Sequence, residues 1–162
     1  MKRSRLIILL LLIIVSVSCK EKNKDGVAKI DYYEINNDLL YPVLDTLVIM
    51  EEKGYTKLIN FSYKDSIKQL SFDSYENTYV FNQNHVKGMY GVFEYKGFIF
   101  YFYEGDIDNI QNWLKNTGKK RDIKYQYQKE WFIGGWYWYY FNLEKDKFVL
   151  TESTKDILYN ED

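Results

Sequence analysis

The residues of this chain best suited to recognition chemistry are aromatic, and they are concentrated in residues 131–141. Alternate side chains of a β-strand share a face. The predicted strand therefore has two aromatic faces, one with Trp136, Trp138 and Tyr140 and the other with Tyr137, Tyr139 and Phe141. The first face is a candidate ligand-binding platform, because such rings stack on sugars, dock protein partners or lie against lipid headgroups. The alternative is that both faces belong to the core.

Acid–base catalysis by histidine has little support. His85 is the only histidine, in a polar stretch between two predicted strands, and a catalytic triad would need serines with no motif around them, such as Ser71 or Ser74. A zinc site would combine His85 with carboxylates that form no recognisable helical pair. We therefore expect a loop histidine, no metal site and no cofactor.

Acidic residues support two further hypotheses. The spacing of Asp106 and Asp108 resembles the first two ligand positions of a calcium-binding loop. The next ligand position, the fifth, is occupied by Ile110, so we interpret these acids as helix caps. Glycoside hydrolysis needs only two carboxylates across a cleft. The candidates on or beside predicted strands are Glu94, Glu104 and Glu130. Solvent-facing charge is the default interpretation of these three.

A basic cluster surrounds the end of a predicted second helix, where cations suit the helix dipole. Its members are Lys115, Lys119, Lys120, Arg121 and Lys124. Its functional interpretation is contact with anionic lipid or an acidic partner. The whole chain has a formal net charge of -1, and no nucleic-acid partner is expected of it.

The first residues have the layout of a signal peptide, with three basic residues before the aliphatic run 6–15. That run is shorter than the roughly 20 apolar residues that span a bilayer. The small residues Val17 and Ser18 before Cys19 resemble the lipobox of bacterial lipoproteins, although Ser16 departs from the aliphatic residue usual there. The alternatives are an ordinary secretory signal and a retained helix.

The resemblance covers residues 1–19 and implies cleavage after residue 18, lipid on Cys19 and a place in the bacterial cell envelope. Lys20, in the position where aspartate often marks inner-membrane retention, implies the outer membrane. Cys19 is the only cysteine, so no disulfide can form within one chain. We predict a flexible charged tether over residues 19–29 and a single domain over residues 30–162.

The predicted fold class is α+β. Apolar residues at helical spacing predict an N-terminal helix around residues 39–48, and a second short helix is predicted over residues 108–117. Period-two patterns predict hairpins over residues 58–72, 92–103 and 137–151, with a further strand at 123–129. We expect a twisted antiparallel sheet of six to eight strands.

These features favour a membrane-anchored envelope lipoprotein whose domain binds a protein or a glycan without catalysis. The first alternative is an immunity or inhibitor lipoprotein that blocks a toxin or enzyme, since such proteins need a shaped surface and leave no motif. The second is a small hydrolase of envelope polysaccharide that uses two carboxylates.

Overall fold

The computed structural model describes residues 25–52, 58–75, 81–127 and 136–154. Within these ranges the chain is mostly β-sheet with two α-helices, so the α+β prediction is confirmed in outline. A single-turn 3₁₀ helix also lies at Ile110–Asn112. The elements in chain order are β1 Gly26–Ile35, α1 Leu40–Glu52, β2 Leu58–Lys64, β3 Gln69–Tyr75, β4 Phe81–Asn82, α2 Gln83–Val86, β5 Met89–Tyr95, β6 Phe98–Tyr103, β7 Leu114–Gln126, β8 Trp136–Glu144 and β9 Lys147–Ser153.

In the described part of the chain the strands form one curled sheet of nine, in the order β4-β7-β1-β5-β6-β2-β3-β8-β9. Three neighbouring pairs are parallel, namely β1 with β5, β2 with β6 and β4 with β7. The prediction of six to eight antiparallel strands is therefore wrong in number and in type. The parallel pairs join segments distant in sequence, which local patterns cannot reveal.

The three predicted hairpins are present as β2–β3, β5–β6 and β8–β9. The β5–β6 turn has positive φ at both Lys96 (46°) and Gly97 (83°). Two consecutive positive φ values define the type I′ geometry that matches the twist of a hairpin. The β2–β3 turn is longer than predicted, because residues 65–68 lie outside both strands.

The domain begins earlier than predicted, because β1 starts at Gly26 and pairs along its length with β7. Residues 26–29 therefore belong to the sheet, and the prediction of a flexible tether is wrong for them. The tether's earlier part, residues 19–24, lies outside the described residues. Charged side chains such as Lys29 alternate with buried Ile30, which suits a strand with one solvated face.

Helix α1 confirms the predicted N-terminal helix, although β1 precedes it in the chain. The Asn37 side chain accepts a hydrogen bond from the Leu39 N–H at 3.0 Å just before its first turn. One stripe of α1 is buried against the sheet and consists of Leu40, Val43, Leu44, Leu47 and Val48. Burying each such side chain contributes about 1.5–3 kcal/mol.

The predicted second helix is wrong. Only Ile110–Asn112 is helical, as a single 3₁₀ turn, and β7 begins at Leu114. Trp113 and Leu114 are apolar because they contact other parts of the domain, and not because they share the face of a helix. Trp113 packs on Tyr63 with ring centroids 4.4 Å apart, and Leu114 pairs with β1.

Two apolar clusters lie on opposite faces of the sheet. The larger lies under α1 and is dominated by phenylalanine rings. The smaller contains Ile30, Leu58, Val92, Tyr101 and Ile123 and is covered by β4 and α2. Leu58 on β2 and Ile123 on β7 are separated in the sheet by three strands, so the sheet must curl to bring them into one cluster.

Buried tyrosines give the larger cluster a pH-dependent stability. Burial, and the neighbouring Asp65, raise the pKa of Tyr63 to about 12. Burial, and the charge of Glu51, raise the pKa of Tyr139 well above its usual value. An unfolded tyrosine ionises near pH 10, so the unfolded chain releases these protons first. The contribution of these two tyrosines to the free energy of unfolding should therefore be complete below pH 10 and be lost as the pH rises toward 12.

Urea unfolding between pH 8.5 and 11.5 measures this dependence. Tyr63→Phe should make the alkaline fall shallower, whereas Tyr41→Phe, which changes an exposed ring on α1, should leave its slope unchanged. An unfolding free energy that does not fall above pH 10 in the unsubstituted chain would contradict this assignment.

Candidate functional site

Strand β8 separates its aromatic residues into two different environments. Tyr139 and Phe141 are fully buried in the cluster under α1. Trp136 keeps 51% of its surface exposed, and Trp138 and Tyr140 are half-buried. The interpretation that both faces are core is therefore wrong for these three side chains. We call Trp136, Trp138 and Tyr140 the aromatic platform.

The two indoles of the platform form a unit. Their ring centroids are 5.3 Å apart and their planes meet at 61°. Residues two apart on a strand point to the same side, so both indoles stand on the face opposite α1. A pair of half-exposed indoles offers an apolar surface on which a ligand can stack.

A carboxylate lies directly beside the indoles. Asp73 on β3 pairs in register with Trp138, and its carboxylate accepts a hydrogen bond from the side chain of Trp136. Burial, and the negative charge of Asp106, raise the pKa of Asp73, while the hydrogen bond from Trp136 opposes that rise. The platform is therefore bordered by a strong hydrogen-bond acceptor in a partly desolvated setting.

Polar groups continue from Asp73 onto the next strand. Asn60 on β2 pairs with Asp73, and its amide donates to the Asp106 carboxylate at 3.4 Å and to the Tyr101 carbonyl at 3.3 Å. One row along, the hydroxyls of Ser62 and Ser71 are 2.6 Å apart, and Ser71 pairs with Tyr140. We call Asn60, Ser62, Ser71 and Asp73 the polar strip.

The predicted roles of Asp106 and Asp108 as caps of an α-helix are wrong, because they are followed by the 3₁₀ turn Ile110–Asn112 and then by β7. The Asp106 carboxylate accepts a hydrogen bond from the Tyr103 N–H at 2.8 Å. The Asp108 carboxylate accepts one from the Asp65 N–H at 2.9 Å. Both acids therefore brace the connection between β6 and β7 against its neighbours.

His85 lies in the short helix α2, where its backbone N–H donates to the Asn82 side chain at 2.9 Å. Burial lowers the pKa of its imidazole. Its carbonyl accepts a hydrogen bond from the Tyr103 hydroxyl at 3.1 Å. Across the described ranges, no group of three or more His, Cys, Asp or Glu side chains has the proximity to hold a metal ion.

The carboxylates proposed from sequence for hydrolysis have separate surroundings. Glu94 forms an ion pair with Arg121 at 2.5 Å, and Glu104 is exposed in the turn after β6. Glu130 lies outside the described residues. The pair that does interact electrostatically, Asp73 with Asp106, was missed from sequence. The one local signal was an acid at a strand position between Phe72 and Ser74.

The basic cluster lies on β7, and only the single 3₁₀ turn Ile110–Asn112 precedes it, so the explanation by the dipole of an α-helix is wrong. Two of its members pair with acids on the sheet: Lys120 with Asp31 at 2.7 Å and Arg121 with Glu94 at 2.5 Å. Lys115, Lys119 and Lys124 are exposed.

Comparisons of the chain with protein-family models, curated proteins and solved structures found no match. In the ranges that the structure describes, helices are too short or too polar to span a bilayer. Cys19 and the residues before it lie outside those ranges.

Proposed function

We propose that this chain is a lipid-anchored envelope protein whose domain binds a glycan on the aromatic platform and the polar strip. One observation carries the choice of a glycan: Trp136 and Trp138 stand half-exposed with the Asp73 carboxylate between them and Asn60. A sugar ring has an apolar face that stacks on indole and hydroxyls that donate to carboxylates. A protein partner is the alternative occupant of the same surface.

Binding is tested by titrating the protein with soluble fragments of envelope polysaccharide and following tryptophan fluorescence. Trp138→Ala should weaken binding about tenfold, since an aromatic stacking contact and its buried area are together worth about 1.4 kcal/mol. Tyr41→Ala removes an exposed aromatic ring from α1, on the opposite face of the sheet, and should leave the affinity unchanged. Equal affinity of the Trp138→Ala variant and the unsubstituted protein would refute the platform as the binding site.

The anchor rests on the sequence of residues 1–19. Mass spectrometry of the membrane-extracted protein should give an N-terminal Cys19 carrying diacylglycerol, because two or more acyl chains are needed for stable anchoring. Cys19→Ser should move the protein out of the membrane fraction. On a density gradient the unsubstituted protein should follow the outer membrane. An unacylated mature chain in the culture fluid would remove this part of the proposal.

A polysaccharide hydrolase is the second candidate, favoured by the electrostatic coupling of Asp73 with Asp106 beside the platform. A carboxyl group with a raised pKa suits a general acid. Release of shorter oligosaccharides during the same titrations, abolished by Asp73→Asn, would favour this candidate over simple binding.

A further inference from the structure

A cavity lies on the platform's face of the sheet but away from the platform, where the curl brings β7 and the start of β1 toward β2 and β6. It has a volume of about 580 Å³, within the roughly 300–1,000 Å³ typical of small-molecule sites. Its walls include Leu58, Phe81, Ile99, Arg121, Ile123 and Tyr125. Neither the platform nor the polar strip contributes to it.

The inner surface of this cavity is mostly apolar. Leu58, Phe81 and Ile123 belong to the smaller apolar cluster, and Ile99 and Tyr125 pack against it. Gly26 allows the Tyr125 ring to form one wall, because a Cβ at position 26 would lie 2.4 Å from the tyrosine hydroxyl oxygen. An occupant therefore gains chiefly by removing hydrocarbon from water.

The cavity wall carries charges of both signs, and Arg121 is the one that shares a strand face with Ile123, two residues away on β7. Asp122 and Lys124 also line the cavity but occupy the alternate positions of β7, and the Asp25 carboxylate accepts a hydrogen bond from the Tyr127 N–H. The Arg121 guanidinium contacts the Glu94 carboxylate at 2.5 Å, and its side chain is 38% exposed. A guanidinium carries five N–H donors in a planar fork, more than one carboxylate can accept. It can therefore bind a second anionic group beside Glu94, in a geometry that suits a carboxylate.

We propose that this cavity binds an alkyl carboxylate, with the hydrocarbon chain on Leu58, Ile99 and Ile123 and the carboxylate on Arg121. The Arg121 guanidinium lies on the same face of β7 as the apolar side chains, so the two together complement a ligand with one long apolar part and one anionic end.

The test uses the full chain in nanodiscs of a neutral phospholipid. A dodecanoate analogue with a photoactivatable diazirine is crosslinked, and the labelled peptides are identified by mass spectrometry. Dodecanoate should block the labelling at about one tenth of the concentration that dodecanol needs, because a charge-assisted hydrogen bond favours the carboxylate. Dodecanol partitions more readily into lipid, so bilayer uptake alone would give the reverse order.

Ile123→Trp fills the cavity and should abolish saturable labelling. Ile67→Trp adds the same side chain at an exposed turn and should not. Ile99→Trp is the second blocking variant, since Ile99 is only half-buried and tolerates a larger ring better than a core position. Arg121→Gln should remove the preference of dodecanoate over dodecanol.

Saturable labelling of peptides that contain Leu58, Ile99 or Ile123, lost in at least one folded blocking variant and kept in Ile67→Trp, supports the site. Labelling elsewhere, or labelling that survives in a folded blocking variant, overturns it. Equal potency of dodecanol and dodecanoate overturns the assignment of a carboxylate ligand. None of these outcomes depends on whether the platform binds a glycan.

Discussion

Phe72→Ala should lower the free energy of unfolding by about 3–5 kcal/mol, the usual cost of truncating a buried phenylalanine. Phe72 has no exposed surface and lies at the centre of a ring cluster. Its ring centroid is 5.2 Å from that of Phe61, 5.8 Å from that of Phe141 and 6.2 Å from that of Phe100. Its removal would leave three strands without a common packing partner.

Urea unfolding measures this loss. Domains of this size are stable by only about 5–15 kcal/mol, so the measurement is made at low temperature, where the variant still has a folded baseline. Phe72→Leu should cost less than Phe72→Ala, since it leaves a smaller cavity. Ile67→Ala, at an exposed turn position, should change stability by less than about 0.5 kcal/mol. A loss below 1 kcal/mol for Phe72→Ala would mean that this cluster is not the core.

Removal of two hydroxyls around the buried carboxylate of Glu51 should have an effect of similar size. Glu51 is 1% exposed and accepts hydrogen bonds from the Ser74 hydroxyl at 2.7 Å and from the Tyr139 hydroxyl. Ser74→Ala and Tyr139→Phe each remove one donor and should cost about 1–3 kcal/mol. Together they remove two hydrogen bonds from a buried carboxylate, at a cost of about 3–5 kcal/mol.

Rescue distinguishes this explanation from simple loss of packing. Adding Glu51→Met to the double variant replaces the carboxylate with an apolar side chain of similar shape. Stability should then recover by at least half, because a fully apolar replacement of a buried polar group is often nearly neutral. A triple variant as unstable as the double variant in urea unfolding would show that the hydroxyls act through packing alone.

Local patterns predicted the elements whose contacts are near in sequence. The Lys96-Gly97 turn lies between two strands of period two, and α1 has its apolar stripe and Pro42 in its first turn. The start of β1 was missed because residues 20–29 are rich in charge and lack an apolar period, which is typical of a solvated linker, although Lys29 pairs with β7 in the sheet. Its partners are more than 50 residues away.

The candidate site was predicted in part, for the same reason. The period of two alone placed Trp136, Trp138 and Tyr140 on one face of β8. The polar strip depends on the register of three strands, since Asn60 pairs with Asp73 and Asp73 with Trp138. A sequence read along one strand contains no information on these neighbours. The choice of a glycan over a protein partner rests on these carboxylate and amide groups beside the indoles.

The most direct test of the glycan proposal is an NMR titration that follows the indole N–H resonances, assigned by single Trp→Phe substitutions. Trp136 and Trp138 stand on the proposed binding face, and Trp113 is buried in the other cluster. As an envelope glycan is added, the Trp136 and Trp138 resonances should shift saturably with one shared Kd, and that of Trp113 should stay in place. Unmoved Trp136 and Trp138 resonances at saturating glycan would contradict the account.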